Sequence, residues 1–267
     1  MVTELKYSNT NTYLISGSRG RLLFDTGWAG TFPKLCKALK EKNIAFKEID
    51  YLLISHYHPD HMGLAQELAE HGVTIAAAEV QRDFLHSSDH IFAREKNSAF
   101  LPIDDGKVRF FPLSEGRSFL GELGIGGEVI HTPGHSDDSI SLWLDEERSL
   151  FVGDLDPLYN LELLRGTVTY QSWKKLLALK PEVIYYGHAK TARLDGGRTE
   201  KPAPADKDIY ALVKRIMKLI DKGCSAEVIE RKTGADPVFI TDVARMYLTH
   251  QNVGVQGILD RIEIKGK

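Results

Sequence analysis

The chain has 267 residues, of which 42% are hydrophobic and 27% are charged, and its formal net charge is −3. This length suits one large domain with a small appendage and excludes a peptide that needs disulfides to fold. The spacing of Cys36 and Cys224 gives no indication of a disulfide between them. The sequence shows no signal peptide and no apolar run long enough to span a bilayer. We therefore expect a cytoplasmic protein with no membrane association.

Apolar runs that end in a polar residue recur along the first 190 residues and are typical of buried strands. The polar residues at their ends are Asp25, His56, His131, His135, Asp154 and His188. Between these runs, apolar residues at three- and four-residue spacing predict helices over 32–42, 60–71 and 171–179. Strands interleaved with helices indicate an α/β fold, in which ligands gather outside the carboxyl ends of strands. We expect Gly134, Gly153 and Gly187 to permit the turns that aim the residues after them.

The densest group of metal-binding side chains follows the predicted strand 51–55 and consists of His56, His58, Asp60 and His61. In an extended backbone, residues i and i+2 point to the same side, so His56 and His58 can reach one ion together. Pro59 turns the chain, and Asp60 and His61 then face a second position beside the first. Imidazole and carboxylate are ligands for Zn²⁺ and also suit iron or manganese. The sequence therefore predicts a metal site at this strand end.

Two stretches, about 81–106 and 155–170, lack clear periodicity, and each is interpreted as a lid, a pocket wall or an ordinary surface loop. After His188 the composition changes, and residues 195–206 have the character of a linker. Three helices are predicted beyond it, over 208–222, 226–232 and 238–250, and the run 257–265 is a short strand or helix. These segments divide the chain into a catalytic domain over 1–200 and a C-terminal helical extension over 206–267, for which a winged-helix-like arrangement is one option.

Seven residues together resemble the ligand pattern of the metallo-β-lactamase-fold superfamily. They are His56, His58, Asp60, His61, His135, Asp154 and His188. The resemblance covers about residues 10–190 and implies a four-layer αβ/βα sandwich with two metals at one edge. It further implies a first metal held by His56, His58 and His135, a second held by Asp60, His61 and His188, and a bridge between them through Asp154. Asp25 fits the buried acidic residue that orients histidines in this family.

The resemblance also implies a reaction class. Two divalent ions, Zn²⁺ or alternatively Fe²⁺ or Mn²⁺, would supply a bridging hydroxide for hydrolysis. Asp60 is the candidate that orients the hydroxide or carries a proton. The cysteine ligand of the best-known β-lactamases is replaced by Asp154, so the pattern looks more like glyoxalase II, lactonases and lactamase-like endoribonucleases. The intact His58 argues against the oxygen-reducing diiron branch, which has glutamate there.

The expected substrate is a small ester, lactone or thioester, because no large nucleic-acid-binding insertion lies between Asp154 and His188. The alternative is a phosphodiesterase or endoribonuclease whose C-terminal helices aid nucleic-acid binding. Residues 188–267 carry a net charge of +4, which fits that alternative loosely, but Asp236 and Asp242 near the start of the third helix oppose it. The same helices can instead form a homodimer or pack on the catalytic domain.

Several other polar residues leave both a functional and a structural interpretation open. His131 is either a support for the metal ligands or a partly buried structural histidine. Tyr159, Tyr170 and Tyr185 are either donors to an oxyanion or packed aromatic residues. Lys190 either meets an anionic substrate or is simply solvated.

Overall fold

The computed structural model describes residues 1–195, 198–199, 207–249, 255 and 258–259. The chain divides into two compact units, residues 1–199 and residues 200–266, and each is described by itself. Two six-stranded sheets form the centre of the first unit. Within the described residues, no helix has both the length and the apolar character needed to cross a membrane.

The first sheet follows the chain order. Its strands are β1 (Val2–Leu5), β2 (Thr12–Ser16), β3 (Arg21–Phe24), β4 (Tyr51–Leu53), β5 (Thr74–Ala78) and β6 (Val108–Phe111). Strands β1 to β3 are antiparallel, whereas β3 to β6 are parallel, with Phe24 opposite Leu53 in register. Parallel strands end at one edge of a sheet, so β3 and β4 deliver Asp25 and His56 to the same edge.

The second sheet has the order β12-β11-β10-β9-β8-β7. Its strands are β7 (Gly127–His131), β8 (Ile140–Leu144), β9 (Ser149–Phe151), β10 (Val183–Tyr185), β11 (Ala192–Asp195) and β12 (Arg198–Thr199). Strands β9 and β10 are parallel, and β8 is antiparallel to both β7 and β9. Strands β7, β9 and β10 therefore end at one edge and deliver His135, Asp154 and His188 there.

Six helices complete the first unit: α1 (Phe32–Glu41), α2 (Pro59–Met62), α3 (Ala65–Glu70), α4 (Asp89–Arg94), α5 (Gly116–Glu122) and α6 (Val168–Ala178). Neighbouring residues of a strand point to opposite faces of the sheet and pack into different apolar cores. Leu23 packs with Leu35 of α1 and Leu68 of α3, whereas Phe24 packs with Phe151 of the other sheet. The far face of the second sheet packs on Trp173 of α6. Helices thus cover the outer face of each sheet, and the predicted αβ/βα sandwich is confirmed.

Helices α7 (Lys207–Asp221), α8 (Ala226–Thr233) and α9 (Pro237–Thr249) of the second unit pack around their own apolar core. All three were predicted to within one residue at each end. Gly234 ends α8 in the left-handed conformation with a φ of 68°. Ser225 precedes α8, but its hydroxyl donates to Oε2 of Glu227 and makes no hydrogen bond to the helix backbone. The run 257–265 lies outside the described residues except for 258 and 259.

The prediction of one helix over 60–71 is wrong, because the chain forms two short helices, α2 and α3, that are interrupted at Gly63 and Leu64. The carbonyl of His61 accepts from the backbone N–H of Thr26 at 2.9 Å and from its hydroxyl at 2.8 Å. A continuous helix would pair that carbonyl with the N–H of Ala65. The tertiary contact with Thr26 therefore replaces the helical one.

The segments of unclear periodicity also have structure. The first contains a 3-10 helix over Glu79–Phe84 and helix α4, and the second contains a 3-10 helix over Leu158–Leu164 and the first turn of α6. The predicted linker 195–206 begins as a hairpin, because β12 pairs antiparallel with β11. Residues 196–197 and 200–206 lie outside the described residues.

Two buried tyrosines offer a test of the packing. The hydroxyl of Tyr57 is buried without a hydrogen-bond partner among the described residues, whereas that of Tyr13 donates to the carbonyl of Tyr186 at 2.9 Å. We predict that Tyr57→Phe leaves the free energy of unfolding unchanged or raises it by up to about 1 kcal/mol, while Tyr13→Phe lowers it by about 1–2 kcal/mol. Urea unfolding measures both, and equal losses in the two variants would contradict the packing described.

Candidate metal centre

Three histidines converge on one point at the shared edge of the sheets. Nδ1 of His58 lies 3.0 Å from Nε2 of His56 and 3.0 Å from Nε2 of His135. In a tetrahedral site with Zn–N bonds of about 2.0–2.1 Å, the ligand nitrogens are roughly 3.3 Å apart. These three nitrogens therefore have the spacing of ligands around one ion.

A second group, formed by Asp60, His61 and His188, lies beside the first. Nε2 of His188 is 2.9 Å from Oδ2 of Asp60 and 3.3 Å from Nε2 of His61. His61 is fully buried and His188 is 6% exposed, whereas the Asp60 side chain is 18% exposed. Asp60 is thus the member of this group with the most access to solvent.

Asp154 lies between the two groups. Its Oδ2 is 3.6 Å from Nε2 of His135 and 3.4 Å from Nε2 of His188. Its Oδ1 is 3.2 Å from Nε2 of His61 and forms no hydrogen bond among the described residues. One carboxylate therefore faces ligand atoms of both groups.

The carboxylate of Asp25 lies beneath both groups and orients one histidine in each. Its Oδ2 accepts from Nδ1 of His61 at 2.9 Å and from the hydroxyl of Ser55 at 2.8 Å, and its Oδ1 accepts from the N–H of Ser55 at 2.6 Å. The Ser55 oxygen is in turn 3.0 Å from Nδ1 of His56 and accepts its hydrogen. Both imidazoles therefore carry hydrogen on Nδ1 and turn Nε2 towards the centre.

The loop that carries His135 is fixed to the strand end that carries His56 and His58. Asp138 is 1% exposed, and its Oδ2 accepts from the backbone N–H of Tyr57 at 2.8 Å. The buried amide of Gln81 donates to the carbonyls of Ile54 at 2.9 Å and Asp138 at 3.2 Å. Sequence patterns did not reveal these supporting residues, because their partners are distant in the chain.

Burial and charge set the protonation of the centre. Burial lowers the pKa of His56 well below its ordinary value, and the imidazoles of His61 and His135 lower it further. Burial raises the pKa of Asp154, but His188 and His61 outweigh that effect and hold this pKa well below its ordinary value. His56 is therefore a neutral imidazole and Asp154 an ionised carboxylate, which are the protonation states that metal ligation requires.

The pKa of His61 shows most clearly that the buried carboxylates favour a positive charge beside them. Burial lowers its pKa, but the carboxylates of Asp154 and Asp25 outweigh burial and raise it well above its ordinary value. A proton on His61 or a bound cation supplies the charge that these buried carboxylates require. Five imidazoles and two carboxylates suit divalent metal ions, and Oδ1 of Asp154 has no hydrogen bond among the described residues, so the residues present fit the group that the sequence pattern implies.

Two glycines make room for this arrangement. Gly153 has a φ of 53°, and a Cβ on it would lie 2.5 Å from the hydroxyl oxygen of Ser55. A Cβ on Gly187 would lie 2.5 Å from Oδ1 of Asp154 and 2.8 Å from Cε1 of His61. Gly153 supplies an unusual turn, as expected, whereas Gly187 is needed because the ligands approach its backbone closely.

Three of the remaining candidate side chains, His131, Tyr170 and Tyr185, have structural contacts. Nε2 of His131 donates to the carbonyl of Asp137 at 2.8 Å and supports the loop that carries His135. Tyr185 stacks on Phe151 with ring centroids 4.6 Å apart, and Tyr170 packs against the core around Trp173. The side chain of Tyr159 lies outside the described residues. Lys190 is exposed.

A family model described as the metallo-beta-lactamase superfamily matches residues 6–188. The chain therefore belongs to the metallo-β-lactamase superfamily, and the family resemblance seen in the ligand pattern is confirmed. Two solved structures extend the likeness to the fold. One is TTHA1623 in a di-iron-bound form, which is 25% identical in sequence and has a TM-score of 0.54. The match covers 72% of this chain and 94% of the TTHA1623 chain. The other is TTHA1429 of Thermus thermophilus, a metallo-beta-lactamase family protein, which is 19% identical in sequence and has a TM-score of 0.54. The match covers 98% of this chain and 92% of the TTHA1429 chain.

Curated relatives include a Beta-lactamase-like protein 2 homolog of Drosophila melanogaster, 29% identical over 202 residues, which are 74% of this chain and 64% of that protein. An Atrochrysone carboxyl ACP thioesterase of Aspergillus fumigatus is 28% identical over 220 residues, which are 78% of this chain and 45% of that protein. The chain spans less than two thirds of the length of these relatives.

Gly187→Ala tests the close approach at the centre. The new methyl group would displace Asp154 or His61, so we predict that metal affinity falls by about tenfold or more. Equilibrium dialysis followed by elemental analysis measures this. The matched control is Gly121→Ala in α5, where an added Cβ meets no atom within 4 Å. A Gly187→Ala protein with wild-type metal affinity would show that the backbone at this position has more room than described.

Proposed function

We propose that this protein is a binuclear metal-dependent hydrolase that acts on a small ester, lactone or thioester. The observation that carries the proposal is the position of Asp154, whose Oδ2 faces His135 at 3.6 Å and His188 at 3.4 Å. A carboxylate between two groups of ligand atoms suits a bridge between two ions. His56, His58 and His135 would hold the first ion, and Asp60, His61 and His188 would hold the second.

Divalent ions held by these residues would lower the pKa of water towards neutrality and polarise the carbonyl of a substrate. We propose Zn²⁺ for both positions, with iron or manganese as alternatives, because imidazole and carboxylate ligands accept all three. Iron is included because the related TTHA1623 has a di-iron-bound form.

Asp60 is the proposed catalytic residue. The amide of Asn9 donates to its Oδ2 at 3.4 Å, and the Asp60 side chain is 18% exposed, whereas that of Asp154 is 3% exposed. Asp60 therefore combines a side chain held by a neighbouring residue with more access to solvent than Asp154 has. Its carboxylate is placed to orient a water molecule and to hold the proton that the water loses.

The preference for an acyl substrate is supported by two features. Two relatives, one from Aspergillus fumigatus and one from Emericella nidulans, carry the name Atrochrysone carboxyl ACP thioesterase. Between Asp154 and His188 the chain forms only a 3-10 helix, helix α6 and strand β10. That short connection offers little surface for a long polymer and suits a small substrate.

Asp154→Ala tests the proposed bridge. We predict that bound metal falls from two ions per chain to one or fewer, and that hydrolysis falls by at least about 100-fold, because the bridging carboxylate is lost. Elemental analysis and initial rates measure the two effects. Asp83→Ala, at an exposed aspartate, is the control and should retain both metal and activity. An active Asp154→Ala protein with two ions would contradict the assignment.

A substrate panel tests the reaction class. With Zn²⁺ loaded, we predict turnover of acyl thioesters, lactones or aryl esters and slower turnover of a phosphodiester such as bis(p-nitrophenyl) phosphate. Initial rates at a single substrate concentration well below saturation rank these compounds by kcat/KM. Turnover of the phosphodiester alone would replace the acyl proposal with a phosphodiesterase.

A further inference from the structure

Segment 9–11, which lies just before β2, contacts the ligand His188 and the backbone around it. The backbone carbonyl of Asn9 accepts from Nδ1 of His188 at 2.8 Å. Since a carbonyl only accepts, this bond places the hydrogen of His188 on Nδ1 and leaves Nε2 for the centre. The ring is therefore oriented from the first sheet, although His188 itself follows a strand of the second.

Asn11 holds the loop on both sides of His188. Its side-chain amide donates to the carbonyls of Tyr186 at 2.9 Å and Ala189 at 3.1 Å, and its backbone N–H donates to the carbonyl of Gly187 at 2.8 Å. Asn11 is 4% exposed. Buried carbonyls that lose such donors cost free energy, so the loop has a strong preference for this one position.

The same segment holds Asp60. The hydroxyl of Thr10 donates to the backbone carbonyl of Asp60 at 2.7 Å, and the amide of Asn9 lies 3.4 Å from Oδ2 of Asp60. Thr10 is 1% exposed, so water does not readily replace this bond. Three consecutive residues thus contact two of the three members of the Asp60–His61–His188 group.

The other group of ligands has different supports. Asp138 and Gln81 fix the strand end and the loop that carry His56, His58 and His135. The side chains of Thr10 and Asn11 bond to the segments of Asp60 and His188 instead. Thr10 and Asn11 therefore support members of the second group and Asp138 and Gln81 support members of the first, while Asp25, Ser55 and Asp154 contact both.

We infer that Thr10 and Asn11 are positioning residues for the second metal ion alone, so that occupancy of the two ions can be changed separately. This inference rests on the proposed binuclear function. Loss of a bond from segment 9–11 should weaken the ion held by Asp60, His61 and His188 and leave the ion held by His56, His58 and His135 unchanged.

Titration of Zn²⁺ alone into metal-free protein, in competition with a chromogenic chelator, tests the inference. Thr10→Val removes the hydroxyl at nearly constant volume, and we expect the second dissociation constant to rise by about tenfold or more while the first is unchanged. Thr10→Ser keeps the hydroxyl and should restore the second ion. Thr12→Val is the matched control, because the buried Thr12 hydroxyl donates to Tyr7 at 3.3 Å.

The inference is wrong if Thr10→Val weakens the binding of both ions equally or leaves the binding of both unchanged. It is also wrong if Thr10→Ser does not restore binding of the second ion. Thermal unfolding of the metal-free variants shows whether a loss is merely structural, since a dedicated positioning role leaves it close to wild type. If Thr10→Val does not fold, Asn9→Ala tests the same point through Oδ2 of Asp60. A wild-type protein that binds a single ion would contradict the proposed function itself, which separates that failure from failure of the inference.

Discussion

The buried carboxylate of Asp25 is the interaction on which the centre depends. It is 1% exposed and is satisfied by the N–H and hydroxyl of Ser55 and by Nδ1 of His61. Asp25 has a φ of 61°, a left-handed conformation that is unfavourable for a residue with a Cβ. Its N–H donates to the carbonyl of Leu53 at 3.0 Å, which helps to hold that conformation. This unfavourable backbone conformation places one carboxylate where it orients a histidine in each of the two groups.

The centre also connects the two sheets. Each group combines residues that follow β4 in the first sheet with a histidine from the second, His135 in one group and His188 in the other. The carboxylates of Asp25 and Asp154 are buried at this edge, and bound cations would offset their negative charge. Ions bound there would join the two sheets at their shared edge, so folding of the sandwich and metal binding favour each other.

Much of the fold and of the centre could be predicted from the sequence, because strand ends with polar residues are a local signal. The group from His56 to His61 is contiguous, and His135, Asp154 and His188 each follow an apolar run. Long-range contacts had no such signal. The break after α2 depends on Thr26, and the support of the His188 loop depends on Asn11, more than 170 residues away. Strands β1, β2, β5, β6, β8, β11 and β12 were also not predicted, since none of them ends in a residue of the predicted ligand pattern.

We expect this edge of the sheets to bind two ions, each through its own three ligands. Anomalous diffraction at the zinc edge from crystals of Zn²⁺-loaded protein measures this directly. We predict two peaks, one bonded to Nε2 of His56, Nδ1 of His58 and Nε2 of His135, and the other bonded to Asp60, His61 and His188, with Asp154 in contact with both. A single peak, or two peaks bonded to other residues, would contradict the binuclear centre.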